Sequence, residues 1–161
     1  MYQKIMVTLD GSELADVALP HASTVAKSAG AAVVVMQVID SVAQIMSQLA
    51  PATIEPMASG AMTAELAEEL VAGQRAEPQA NVDKAKARLE ADGVANVTTL
   101  IAEGRPGEAI VDAAAEQGCD LIVIATHGRS GFGRVLLGSV AEHVARHAEH
   151  AGVLLVRAQK K

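Results

Sequence analysis

Aromatic residues are almost absent from this chain, which has no tryptophan, one tyrosine and one phenylalanine among 161 residues. Half of the residues are nevertheless hydrophobic, so the core must consist of valine, isoleucine, leucine, methionine and alanine. Proteins that bind nucleic acid combine a basic face with aromatic side chains that stack on bases. The net charge of −6 and the scarcity of aromatic residues therefore argue against a nucleic-acid partner.

Cysteine and long apolar runs are equally scarce. The single cysteine, Cys119, cannot form an internal disulfide, which is typical of a reducing cytoplasm. No run approaches the roughly 18 apolar residues of a membrane-spanning helix, and the chain begins without the pattern of a signal peptide. Because domains commonly contain about 100–200 residues, we expect one cytoplasmic domain over residues 1–161, with no membrane contact.

Short runs of valine, isoleucine and leucine recur along the chain without alternating polar residues. This pattern is typical of strands buried on both faces of a parallel sheet. The predicted strands are residues 5–9, 32–39, 97–102, 121–125 and 153–156.

Helical patterns separate these strands. The predicted helices begin near Ser12, within residues 62–92, at Pro106 and at Val140. Ser12 is a candidate N-cap of the first helix, which Gly30 is expected to end. Pro20 lies inside that helix and predicts a kink or a local break. Residues 41–60 show no regular pattern, and a connection of this length is often mobile or functional.

The alternation of strands and helices predicts an α/β fold. Right-handed crossovers place helices on both faces of a five-stranded parallel sheet, doubly wound with strand order 3-2-1-4-5. The winding reverses between strands one and four, and ligands bind at the carboxyl ends of the strands there. Asp10 follows strand one and a glycine-rich segment follows strand four, so both are expected at this crevice.

The glycine-rich segment, residues 125–140, connects strand four to the last helix. Glycines allow the backbone to approach a phosphate, and the free N–H groups of a helix N-terminus point at the anion. Ser139 and Glu142 have the spacing of a capping box, which is compatible with a phosphate contact. The segment also carries Arg129, a candidate phosphate contact, and we interpret it as a nucleotide-binding loop.

Several catalytic and metal motifs are incomplete. Gly133 and Gly138 have the spacing of a P-loop, but Ser139 stands where the essential lysine would be, which disfavours fast phosphoryl transfer. His143 and His147 are four residues apart on the last predicted helix but have no evident third ligand, so no metal site is expected. Asp10 is either an acceptor for a ribose or base, or a turn-forming residue beside Gly11.

The chain resembles the universal stress protein family over nearly its whole length. The resemblance rests on residues 5–13, 38–40, 104–110 and 119–123, and on the glycine-rich segment. Nucleotide-binding members share the pattern G-x2-G-x9-G-[ST], whose last three fixed positions fall on Gly128, Gly138 and Ser139. Ala125 stands at the position of the first glycine.

The resemblance implies an adenine nucleotide as ligand, ATP above all, with or without Mg²⁺. Leu9 and Val38 would pack near the adenine, Asp10 would lie near the ribose or base, and backbone amides of the loop would hold the phosphates. The residues expected at the site are Leu9, Asp10, Val38, Ala125, Gly128, Arg129, Gly138, Ser139 and Val140.

Family members commonly dimerise through the last strand. In this chain that strand is apolar and contains Val153, Leu154, Leu155 and Val156. An unpaired apolar edge invites uncontrolled association, and a twofold pairing would bury it. The resemblance therefore implies a homodimer.

Three functions remain open at this point. The first is an ATP-binding stress protein whose nucleotide state alters contacts with its dimer mate or with an unknown regulatory protein. The second is a stress protein of the same fold that binds no nucleotide and acts through protein contacts, which Ala125 and Leu9 favour as departures from the family pattern. The third is a slow ATPase or a transferase, which is disfavoured because Asp10 is the single candidate acid and no base is evident.

Overall fold

A computed structural model of the protein describes residues 1–13, 15–49, 69, 72–126 and 137–157. Its centre is a parallel sheet with the order β3-β2-β1-β4-β5. The strands are β1 (Lys4–Leu9), β2 (Ala32–Ile39), β3 (Val97–Glu103), β4 (Leu121–Ala125) and β5 (Gly152–Val156). The predicted doubly wound topology is confirmed.

The helices of the described residues lie on both faces of this sheet. They include α1 (Ala18–Ala29), α2 (Val42–Leu49), α3 (Ala76–Ala91), α4 (Pro106–Glu116) and α5 (Ser139–His147). One buried cluster joins α1 and α3 to one face of the sheet, and a second joins α4 and α5 to the other. No helix of the described segments is both long and apolar enough to cross a membrane.

Side-chain alternation divides β1 between the two cores. Ile5 and Val7 belong to the cluster under α1 and α3, whereas Met6 belongs to the cluster under α4 and α5. All three side chains are fully buried, and burial of each contributes about 1.5–3 kcal/mol to folding. The expectation of burial on both faces is confirmed for the central strands but is wrong for β3 and β5, because these form the edges of the sheet.

The first helix begins later than predicted. Ser12 starts a turn in which its carbonyl accepts the N–H of Ala15 at 3.1 Å, and a short 3-10 turn then precedes α1. Pro20 is the third residue of α1, where its missing N–H removes no helical hydrogen bond. The predicted kink at Pro20 is therefore replaced by the junction before Ala18. Gly30 ends α1 as predicted, with a φ of 67°.

Residues 41–60 are not irregular throughout, because α2 occupies Val42–Leu49. Ser41 explains this helix. Its N–H donates to Oε1 of Gln44 at 2.8 Å, and its Oγ accepts the N–H of Gln44 at 3.4 Å. This reciprocal pair of hydrogen bonds is a capping box, which was not predicted from the sequence. The prediction is wrong for α2, and residues 50–60 lie outside the described part of the chain.

Candidate functional site

A cavity of about 280 Å³ opens where β1 and β4 end, at the point where the winding of the sheet reverses. All predicted site residues that the structure describes line it. These are Leu9, Asp10, Val38, Ala125, Gly138, Ser139 and Val140. Gly128 and Arg129, the two other predicted residues, lie outside the described residues.

Aliphatic side chains form most of the walls of this cavity. Leu9 and Val38 come from the ends of β1 and β2, Ile110 from the first turns of α4, and Ile124 from β4. Leu9, Ile110 and Ile124 are each less than 10% exposed. Walls of this kind, with a few polar groups, suit a flat ring system.

Several lining residues were not predicted from the sequence, among them Thr8, Pro106, Ile110 and Thr126. Thr126 follows β4 directly, so its place at the strand end was a usable signal. Pro106 and Ile110 are four residues apart and share one side of α4. Their contact with the cavity depends on how α4 packs across β1 and β4, which the sequence pattern does not specify.

Asp10 shapes the turn at the rim of the cavity. Its Oδ1 accepts hydrogen bonds from the N–H of Ser12 at 2.9 Å and from the Oγ of Ser12 at 2.6 Å. Gly11 between them has a φ of 79°, which favours glycine. The turn-forming interpretation of Asp10 is therefore confirmed, and the same carboxylate lines the cavity.

Gly138 joins the end of β4 to the start of α5. Its N–H donates to the carbonyl of Thr126 at 2.7 Å. A Cβ at this position would lie 2.8 Å from the same oxygen, closer than side-chain carbons approach. The φ of −58° is ordinary, so Gly138 is required here for close backbone packing rather than for an unusual conformation.

The capping box predicted at Ser139 is not formed. Gly138 is the N-cap of α5, and Ser139 is the first helical residue. Glu142 instead accepts hydrogen bonds from Arg146, the shorter at 2.9 Å. The prediction fails because the hydrogen bond from Gly138 to Thr126 makes Gly138 the N-cap of α5, so that Ser139 is already inside the helix.

The first turn of α5 brings three backbone amides to the cavity. The first backbone bond of this helix runs from the N–H of Glu142 to the carbonyl of Gly138 at 2.9 Å. The N–H groups of Ser139, Val140 and Ala141 have no backbone acceptor among the described residues. All three residues line the cavity, and the helix dipole adds a partial positive charge there.

The histidines of α5, His143 and His147, are not among the residues that line the cavity. The rings of His143 and His147 are stacked with centroids 4.1 Å apart, and Nδ1 of His147 lies 2.8 Å from the carbonyl oxygen of His143. Within the described part of the chain, no group of three or more histidine, cysteine, aspartate or glutamate side chains is arranged to hold a metal.

The fold and the cavity together define a doubly wound α/β domain with an apolar crevice and a helix N-terminus at its switch point. Comparison with known proteins assigns its family, since the model of the universal stress protein family matches residues 1–157. The chain belongs to the universal stress protein family.

Relatives match over the whole chain. Universal stress protein MJ0531 of Methanocaldococcus jannaschii is 37% identical over 161 residues, which cover 100% of this chain and 85% of the relative. The solved structure of hypothetical protein MJ0577 has a TM-score of 0.79 at 28% identity and covers 100% of this chain and 99% of that one. A crystal structure of a universal stress protein in complex with cAMP has a TM-score of 0.68 at 25% identity, with 98% of each chain covered.

Proposed function

We propose that the protein binds an adenine nucleotide, ATP with or without Mg²⁺, in the cavity between the ends of β1 and β4. One observation carries this proposal. Ser139, Val140 and Ala141, whose N–H groups have no backbone acceptor in the described part of the chain, line a cavity whose other walls are mostly aliphatic. A ligand that is flat and apolar at one end and anionic at the other complements such a site.

The size of the cavity supports a specific placement. Its volume of about 280 Å³ is near the lower limit of small-molecule pockets, which is about 300 Å³. The cavity suits a base and a ribose, with the phosphates at the first turn of α5. Leu9 and Val38 would pack on the base, and Asp10 would lie near the ribose. Gly128 and Arg129 remain predicted phosphate contacts.

The relatives support the ligand class. The neighbour that was crystallised with cAMP has the same fold and an adenine nucleotide as its ligand. The choice of ATP rests on the match of Gly128, Gly138 and Ser139 to the pattern of the nucleotide-binding members. Ala125 favours the alternative, a member of the family that acts through protein contacts without a nucleotide, because its methyl group replaces a glycine at the cavity.

The proposal includes a homodimer formed through β5, a regulatory protein partner and a cytoplasmic location. β5 is an edge strand whose side chains are mostly half-buried, so a second copy of the chain could cover it. The single cysteine is a free, buried thiol, which fits a reducing compartment.

A proline at position 139 tests the anion site directly. Ser139 is the first residue of α5, where proline is favoured in helices. Ser139→Pro removes one candidate phosphate donor, whereas the control variant Ser139→Ala removes the hydroxyl and keeps the amide. We expect Ser139→Pro to weaken ATP binding about tenfold or more in calorimetric titration, with a smaller effect for Ser139→Ala. Equal affinities of the two variants would contradict the assignment of the phosphates to α5, provided circular dichroism shows that both fold.

A further inference from the structure

Thr8 is a buried polar residue at the wall of the cavity. It is the penultimate residue of β1 and is 6% exposed. Side chains two residues apart on a strand share a face, so Thr8 points to the same side as Met6, which packs with α4 and α5. Thr8 lines the cavity that these helices bound.

The hydroxyl of Thr8 has no hydrogen-bond partner among the described residues. In the same part of the chain, Oγ of Ser23 on α1 is the one side-chain polar atom that is both inaccessible to solvent and without a hydrogen-bond partner. The hydroxyl of Thr8 is therefore not enclosed by protein atoms but opens into the cavity. The same cavity is lined by the aliphatic residues Val38, Ile110 and Ile124.

A ligand that fills the cavity must remove water from this hydroxyl. A buried hydroxyl that loses its partner is costly, so the site favours a ligand with a nitrogen or oxygen at this position. Sites built around such a group strongly reject analogues that lack the matching atom.

We infer that Thr8 recognises the base, by a hydrogen bond between its hydroxyl and one heteroatom on the edge of the purine. The inference rests on the proposed nucleotide site. Thr8 lies deeper along β1 than Asp10, which is at the rim, and the phosphates are assigned to α5. The deepest part of the ligand is then the base, and Thr8 is a buried polar residue that lines this part of the cavity.

Analogues of ATP that each lack one hydrogen-bonding atom of adenine test this inference. The panel contains the triphosphates of purine riboside, which lacks the 6-amino group, and of 1-deaza-, 3-deaza- and 7-deazaadenosine. Each is titrated calorimetrically into the wild-type protein and into Thr8→Val, which replaces the hydroxyl by a methyl group. Thr8→Ser keeps the hydroxyl, and Thr98→Val makes the same change at an exposed position on β3.

We expect Thr8→Val to bind ATP about tenfold more weakly than the wild type, with Thr8→Ser close to the wild type and Thr98→Val unchanged. One analogue should bind the wild type about tenfold more weakly than ATP does. In Thr8→Val the same analogue and ATP should bind with equal affinity, as a double-mutant cycle requires. If Thr8→Val weakens the binding of ATP and of all four analogues by the same factor, or weakens none of them, the role of Thr8 is overturned. The proposed nucleotide site would still stand. A wild-type protein that binds none of the nucleotides would overturn the proposed function as well.

Discussion

At the scale of single residues, Ser23 is an imperfection in the core. It lies in α1 at 3% exposure, and its Oγ has no partner among the described residues. A buried hydroxyl without a partner costs free energy, and alanine is the better helix former. We predict that Ser23→Ala raises the free energy of unfolding by about 1 kcal/mol, measured by urea denaturation.

Ser28 provides the matched control on the same helix. Its Oγ is exposed and donates to the carbonyl of Thr24 at 2.8 Å, so Ser28→Ala changes helix propensity without removing a buried unpaired group. The gain at position 28 should be smaller than that at position 23. Equal gains would mean that the buried hydroxyl carries no penalty.

Cys119 gives a prediction for the dependence of stability on pH. Burial raises the pKa of this thiol above its ordinary value of 9.0; nearby Lys4 lowers the pKa and Asp120 raises it further, both by smaller amounts. The unfolded chain then loses this proton at a lower pH than the folded protein. The resulting contribution to stability is present below pH 9.0 and is lost as the pH rises towards the raised pKa.

Urea titrations between pH 8 and pH 10 check this sign. The difference in stability between the wild type and Cys119→Ala should shift against the wild type as the pH rises. A difference that is constant over this range, or that shifts towards the wild type, would contradict the raised pKa.

At the scale of elements, α4 and α5 meet at a glycine. A Cβ on Gly107 would lie 2.8–2.9 Å from the Cβ, Cγ and Cδ2 atoms of His143, so the ring packs directly on the backbone of α4. We predict that Gly107→Ala lowers the free energy of unfolding by about 1–3 kcal/mol, measured by thermal or urea denaturation. The double variant with His143→Ala should recover part of this loss.

Gly73 is the control for this prediction. A Cβ there meets no atom within 4 Å, so Gly73→Ala should leave stability unchanged or raise it by up to about 1 kcal/mol. If Gly107→Ala behaves like Gly73→Ala, the two helices do not meet in the described way.

Strand positions were predictable from the sequence because long aliphatic runs have few alternatives to a buried strand. Helix starts were not. The same Ser-x-x-Glu/Gln spacing occurs at Ser41, where the capping box forms, and at Ser139, where it does not. A tertiary contact distinguishes the two positions, since the hydrogen bond from Gly138 to Thr126 fixes the start of α5.

In the candidate site too, some residues were predictable from the sequence and others depend on tertiary packing. Residues at the ends of β1 and β4, such as Asp10 and Ala125, were predictable because parallel strands end at one edge of a sheet. Thr8 and Ile110 were not, because their contact with the cavity depends on which face of β1 is covered and on the packing of α4. Sequence patterns do not encode such distances.

At the scale of the whole molecule, the proposed homodimer depends on β5, which lies at one edge of the sheet. The N–H of Gly152 donates to the carbonyl of Asp120, and the carbonyl of Val156 accepts the N–H of Thr126. Because alternate residues of a parallel strand face opposite neighbours, the N–H groups of Val153 and Leu155 lie on the outer edge. Val153→Pro therefore removes an outward donor without breaking the β4 ladder, and proline is tolerated on edge strands.

We predict that the wild type has twice the chain mass of 16.5 kDa in light scattering coupled to size exclusion, and that Val153→Pro has the mass of one chain. Val153→Ala, which shortens the same side chain but keeps the N–H, should remain dimeric. A wild type with the mass of one chain at all concentrations, or a dimeric Val153→Pro, would contradict pairing through β5.

Calorimetric titration of the wild type with Mg-ATP tests the proposal that the cavity binds an adenine nucleotide. Mass spectrometry first establishes that no nucleotide co-purifies with the protein. We predict binding at one site per chain with a Kd in the micromolar range. The absence of any binding heat at several temperatures, for a protein free of nucleotide, would contradict the claim and favour a member of the family that acts through protein contacts alone.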